Sequence, residues 1–246
     1  MKKQLRRQIK QDELITGVQQ ATHWVRLHGH ALRVGGLVVV VVAALAAAGF
    51  YFQTSRAREA GEALAAALKI YEAPVAGEPP ADPNAAPGPS YPSAEEKFKK
   101  AAAAFDGVGR RYASSASGQR ARYFAGLCRM QLGQYDAAET TLNEVAAIKN
   151  GDVLAPALAR LALADLQRRR GALDKAVDAY RKLAEDATLP LPRDYALMQL
   201  GATLEEAHRA SEARDVYRRL SEEFPASIYA SDARQRAEYL ETAGQG

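Results

Sequence analysis

One cysteine among 246 residues, Cys128, excludes an intramolecular disulfide and any cysteine-built metal site. Histidine is nearly as scarce. His23, His28 and His30 cluster near the N-terminus, but a His-x-His without a carboxylate or thiol partner is a thin donor set for a metal. His208 stands alone. There is no glycine-rich phosphate loop, no GxSxG and no HExxH. No enzyme, cofactor or metal is expected. Cys128 reads as packing, and the run Arg168-Arg169-Arg170 as a solvated helix end whose cations suit the C-terminal dipole. A general basic surface is missing too. Residues 1–33 hold seven Lys/Arg against two acidic residues, and the remainder of the chain is close to neutral. The pI of about 9.1 therefore belongs to the tail, which argues against a nucleic-acid binder.

Charge is also absent from Val34 to Ser55, and there the absence is informative. Val34–Phe52 is a nineteen-residue run, apolar on every face of a helix. About 20 such residues cross the ~30 Å hydrocarbon layer. Phe50, Tyr51 and Phe52 sit at one end, where interfacial rings gather, and the basic residues lie before the run. The expectation is a basic cytoplasmic tail (1–33), a transmembrane helix (34–52) and a domain on the far side, the periplasm if the membrane is a Gram-negative inner membrane. Ala46-Ala47-Ala48 fits a signal-peptidase site, but a 33-residue leader is too long for one. In the tail, Leu14, Val18, Ala21 and Val25 recur at helical spacing, as in a helix lying on a membrane or a solvated one.

Arg56–Tyr71 is strongly helical, so residues 53–72 are read as a continuation of the membrane helix. Residues 73–92 contain seven of the eleven prolines and form a linker or loop, with a reach of up to ~60 Å if stretched. A capping box, Ser93-x-x-Glu96, restarts helix.

Residues 93–242 repeat with a period of 37 or 38. Alanine recurs at Ala101, Ala138, Ala176 and Ala213, and a larger residue stands four positions later at Phe105, Leu142, Tyr180 and Tyr217. Gly133 and Gly171 fit a tight turn that requires positive φ, with His208 at that place in the third copy. Asp136, Asp174 and Ser211 share one position after the turn and are expected to cap the second helix. Such helix pairs bury their apolar faces only by stacking, so the fold class is all-α, an α-solenoid.

The pattern Tyr123…Gly126…Gly133-x-Tyr135…Ala138, Leu163-Ala164…Gly171…Ala176…Tyr180 and Leu200-Gly201…Ala213…Tyr217…Phe224-Pro225 resembles tetratricopeptide repeats, with slightly longer inter-repeat turns. The whole architecture (Lys10–Leu14, the apolar run, RAREAGEALAAAL and then the repeats) resembles the YfgM-type family of ancillary SecYEG translocon subunits. That resemblance implies a periplasmic domain working with chaperones at the translocon exit. The proline-rich insertion departs from it.

In such repeats the first helix of each pair lines the concave groove. Helical phase then selects Arg120, Tyr123, Leu127 and Met130, next Leu158, Leu161, Asp165, Arg168 and Arg169, and finally Tyr195, Met198 and Glu205. Tyr, Met and apolar residues suit extended or partly unfolded polypeptides, although Tyr123 and Leu161 fit the inter-repeat core equally well. The sequence points to an anchored protein-interaction scaffold or chaperone helper. The alternative is an envelope organiser of the outer-membrane assembly or Tol-Pal kind, which the Phe224-Pro225 ending favours.

Overall fold

The computed structural model describes the backbone of residues 29–76 and 90–243, and the side chains at 29–36, 39, 40 and 243 are outside the described residues. The proposed tail helix, His23 and His28 and the middle of the proline-rich stretch lie outside them as well, and of His30 and the beginning of the apolar run only the backbone is described. The chain divides into two compact units, Met1–Arg56 and Ala57–Gly246.

In the first unit the described residues belong to α1, Gly29–Glu72, which continues into the second. Leu37, Val41, Val42, Leu45, Phe50, Tyr51 and Phe52 are all exposed. Arg56 places its guanidinium 5.1 Å from the Phe52 ring centroid. Among the described residues no helix is long and apolar enough to cross a membrane; Val34–Phe52 extends beyond that set.

The second unit is a row of helix pairs. Alanine and leucine dominate Ala57–Glu72 and favour helix. Ala60, Leu64 and Ala67 recur every three or four residues and are buried. This stretch packs on α2, Ala94–Arg111, so it is the first helix of a repeat. The copy around Ala101 is thereby a complete helix pair. Three further pairs follow: α3 (Ala116–Gln131) with α4 (Tyr135–Ala146), α5 (Leu154–Arg169) with α6 (Leu173–Glu185), and α7 (Arg193–Glu206) with α8 (Ala210–Glu223). The last helix, α9 (Ala230–Ala243), packs on α8 and buries Ala230, Ala233 and Ala237.

Within each pair, small residues meet large ones. Ala101, Ala138, Ala176 and Ala213 are fully buried, as are Phe105, Leu142 and Tyr217, with Tyr180 at 1%. A Cβ added at Gly126 would come within 2.7 Å of the Leu142 side chain, and one at Gly201 within 2.5 Å of the Tyr217 ring. The two helices approach closely because these positions carry no side chain.

The short turns share one geometry. Gly133, Gly171 and His208 have φ of 70°, 74° and 59°. The next residue in each case donates its N–H five residues back, Gln134 to Arg129, Ala172 to Gln167 and Arg209 to Leu204. That is the Schellman arrangement. It corrects the expected caps: the N-cap positions are Gln134, Ala172 and Arg209, without side-chain capping bonds. Because the second helix starts so soon after the left-handed residue, Asp136, Asp174 and Ser211 fall inside its first turn. Asp136 and Asp174 instead accept from Arg170 and Arg209 of the following turn. Ser93 does cap α2, accepting from the Glu96 N–H at 3.2 Å.

In the first pair the turn is replaced by the proline-rich stretch. Its base is closed: Val75 and Tyr91 form a parallel bridge, Ala76 donating to the Tyr91 carbonyl (2.8 Å) and Tyr91 to the Pro74 carbonyl (3.1 Å). The stretch thus stands between the two helices of the first pair.

Candidate functional site

The first helices of successive pairs, α3, α5 and α7, carry the residues that helical phase assigns to the groove. Two of those assignments are corrected. Met130 and Met198 are buried, at 4% and 9% exposure. Met130 packs with Ala138, Leu142 and Leu166, and Met198 with Tyr180, Ala184 and Leu197. An unbranched side chain adapts to an irregular gap between helices, so the core claims both.

The remaining apolar members straddle core and surface. Tyr123 and Leu127 are half-buried against the core of Met130, Leu142 and Leu166, Leu161 against that of Tyr180, Leu197 and Tyr217, and Leu158 and Tyr195 are half-buried as well. Tyr195 meets Tyr229, whose ring centroid is 5.9 Å away. Tyr123 meets Phe124 edge-on at 5.2 Å, and Phe124 in turn meets Tyr71 of α1 at 5.7 Å. Tyr71 and Tyr229 were missed because groove phase was assigned only to the three matched copies. Tyr229 stands in the Phe224-Pro225-x-Ser227-x-Tyr229 ending, the one signal that could have flagged it.

The charged members mostly satisfy one another. Asp165 accepts from Arg168 (3.0 Å) and Arg169 (2.8 Å) of its own helix. Arg168 also reaches Glu206 on α7 at 3.2 Å. Glu205 accepts from the Tyr217 hydroxyl and, at 3.0 Å, from Arg236 of α9. Arg120 is exposed, and it pairs with Asp152 in the loop before α5. The Arg168–Glu206, Arg236–Glu205 and Arg120–Asp152 bonds stitch neighbouring pairs together. Burial, with the nearby Tyr71 and Tyr195, pushes the Tyr123 phenol up to about 12. Burial and Asp165 raise Tyr195 too. Both phenols therefore keep their protons and can donate to a peptide carbonyl.

Cys128 is fully buried and burial pushes its thiol up to about 12, the state of an inert core residue. His208 is exposed at its turn. Among the described residues no three His, Cys, Asp or Glu are grouped to hold a metal ion. The site can present apolar surface, phenolic donors and a few paired charges, which is the chemistry of binding.

A profile of the tetratricopeptide repeat-like domain family matches residues 22–219, about four-fifths of the chain. The chain belongs to that family. Comparison with curated protein sequences gives no match. Among solved structures, BtubC (BKLC) from P. vanneervenii is 18% identical with a TM-score of 0.51, over 62% of this chain and 67% of that one. Nearly identical TPR-like repeats named for a Podosopora anserina kinesin light chain superpose with a TM-score of 0.47 at 12% identity, over 61% of this chain and 80% of theirs. The first of these likenesses speaks for the fold alone. Tetratricopeptide-like repeats bind proteins and peptides, so the repeat domain is a protein-interaction scaffold.

Proposed function

We propose that this chain is a membrane-anchored interaction scaffold: Val34–Phe52 spans a membrane, the basic tail stays cytoplasmic, and the repeat domain stands on the periplasmic side. The observation that carries this reading is the role of Ala57–Glu72. These residues follow the apolar run almost directly in sequence, and they are the first helix of the repeat stack. In this reading the anchor leads directly into the scaffold's first helix along the chain. The family match begins at residue 22, before the apolar run, so run and repeats fall within one matched unit. The exposed Leu37, Val41, Val42 and Leu45 agree with a lipid-facing helix.

In this reading the groove of α3, α5 and α7 takes extended or partly unfolded segments of other proteins. The YfgM-like architecture supports a place beside the Sec translocon, as a helper of periplasmic chaperones. Resistance to alkaline extraction, together with an active C-terminal phosphatase fusion, tests anchor and side. Crosslinking in native membranes tests the partner, and capture of neither translocon nor periplasmic chaperone subunits would sink that assignment.

A second reading is an envelope organiser of the outer-membrane assembly or Tol-Pal kind. The Phe224–Tyr229 segment favours it: Phe224 caps α8 beneath the Arg193 guanidinium, and Ser227 donates to Asp194 at 2.6 Å. Fractionation with the outer membrane would select this reading over the first.

A further inference from the structure

Charge within the repeat domain is unevenly divided. Residues 94–131 hold eight Lys/Arg against three Asp/Glu, whereas residues 132–246 hold fifteen against nineteen. The cations are also used differently. Along α5 to α9 most arginines meet carboxylates, Arg168 and Arg169 on Asp165, Arg181 on Glu212, Arg193 and Arg219 on Glu223, while Arg160 and Arg234 stand singly without one among the described residues. At the corner of α2 and α3 they do not. Arg110 and Arg111 end α2 and Arg122 lies on α3, and among the described residues none of them has a carboxylate within 4 Å, the nearby ion pairs being Arg129–Asp106 and Arg120–Asp152. Arg122 presses its stem on Gly109, so close that a Cβ there would meet its Cγ at 2.8 Å, and so it packs on the last turn of α2. Arg58 of α1 is equally without a carboxylate partner among the described residues.

The corner has a definite place. Ala57–Glu72 and α2 run antiparallel, closed at one end by the Val75–Tyr91 bridge. Arg110 and Arg111 therefore lie at the other end, where Ala57 begins the unit. Two cations at the end of α2 suit its dipole, but Arg58 and Arg122 sit within helices, where that reason does not hold.

We propose that Arg58, Arg110, Arg111 and Arg122 form a contact for the anionic phospholipid headgroups of the leaflet from which the chain emerges. The proposal rests on the membrane anchor proposed above. Chain continuity favours a membrane over a soluble acidic partner: Arg58 follows Phe52 by six residues, and a tethered patch meets the surface at high effective concentration. Guanidinium groups match phosphate in bidentate geometry. Unpaired ones need break no existing ion pair to do so, and juxtamembrane cations are drawn to anionic lipid in a salt-sensitive way.

The test uses the full chain with Cys128→Ser and Gly107→Cys, a nitroxide being attached at the latter. Gly107 is exposed on α2, with open space where a side chain would go. The chain is reconstituted in vesicles of phosphatidylcholine alone, or mixed with phosphatidylglycerol. The expected result is a several-fold drop in nitroxide accessibility to a water-soluble relaxant with phosphatidylglycerol only, reversed by high salt and abolished by R110E/R111E/R122E. Equal accessibility in both vesicles, with a chain that withstands alkaline wash, overturns the corner and leaves the anchor standing. Protection that survives in R110E/R111E/R122E, or in the milder R110Q/R111Q/R122Q, also overturns it. Loss of the chain from neutral vesicles at alkaline wash overturns the anchor instead, and salt-sensitive protection on anionic vesicles then reports the corner alone.

Discussion

The first helix pair and the three after it have the same architecture but hold it together by different means. In the later pairs the turn is three residues in a Schellman geometry, and at the second and third of these turns an arginine ties it to the start of the preceding second helix, Arg170 to Asp136 and Arg209 to Asp174. The first pair has neither. Its turn is a long proline-rich insertion closed by two backbone bonds, and its interior is aromatic: Phe105 stacks on Phe124 at 5.2 Å while Tyr71 meets Phe98, Phe105 and Phe124 edge-on. The difference teaches that face complementarity defines a repeat, and that turn and clamp are adjustable.

The comparison breaks most visibly at the aromatic cluster. Phe105→Ala removes a fully buried ring from the first pair and should lower the unfolding free energy by about 3–5 kcal/mol in a urea titration. Gly201→Ala forces a methyl group against Tyr217 and should cost about 1–3 kcal/mol by the same measurement. Gly133→Ala meets no neighbour and should cost only about 1 kcal/mol, the strain of its positive φ. In the opposite direction, His208→Gly should stabilise the third turn by up to about 1 kcal/mol, visible as a raised melting temperature. Replacing residues 77–89 by a short glycine–serine segment should change stability by well under 1 kcal/mol, because closure cost varies slowly with loop length. A large loss there would mean that the insertion does more than close a turn.

A pH series sharpens the same contrast. The Tyr123 phenol and the Cys128 thiol both rise to about 12 in the folded chain, burial being the main cause. Their neutral forms are favoured by folding, so their contribution is complete below the ordinary thiol and phenol range and is lost as pH climbs toward about 12. Unfolding followed by fluorescence should show an alkaline decline that Tyr123→Phe and Cys128→Ala each reduce.

Much of this was legible in the residues. The recurrence of Ala101, Ala138, Ala176 and Ala213 reports close helix approach, and every one of them is buried. Gly133 and Gly171 announce a left-handed turn, and His208 occupies it at φ 59° despite its Cβ. Other features were hidden for definite reasons. Ala57–Glu72 lacks the turn glycine that follows α3 and α5, because the proline-rich insertion stands in its place. Asp136 and Asp174 look like caps in sequence, and only the turn geometry moves them into the first helical turn. Met130 and Met198 occupy groove phase, yet their flexible side chains fill the core; one-dimensional phase does not register how far a neighbouring helix leans in.

The central claim is that the wall of first helices, on an anchored chain, receives other polypeptides. A photo-crosslinking residue at half-buried Leu158 on α5, compared in native membranes with the same residue at exposed Lys175 on α6, tests it most directly. The account predicts polypeptide adducts from Leu158 that are weak or missing from Lys175. Equal adducts from both positions, or none from Leu158 in membranes that retain the chain, would contradict it.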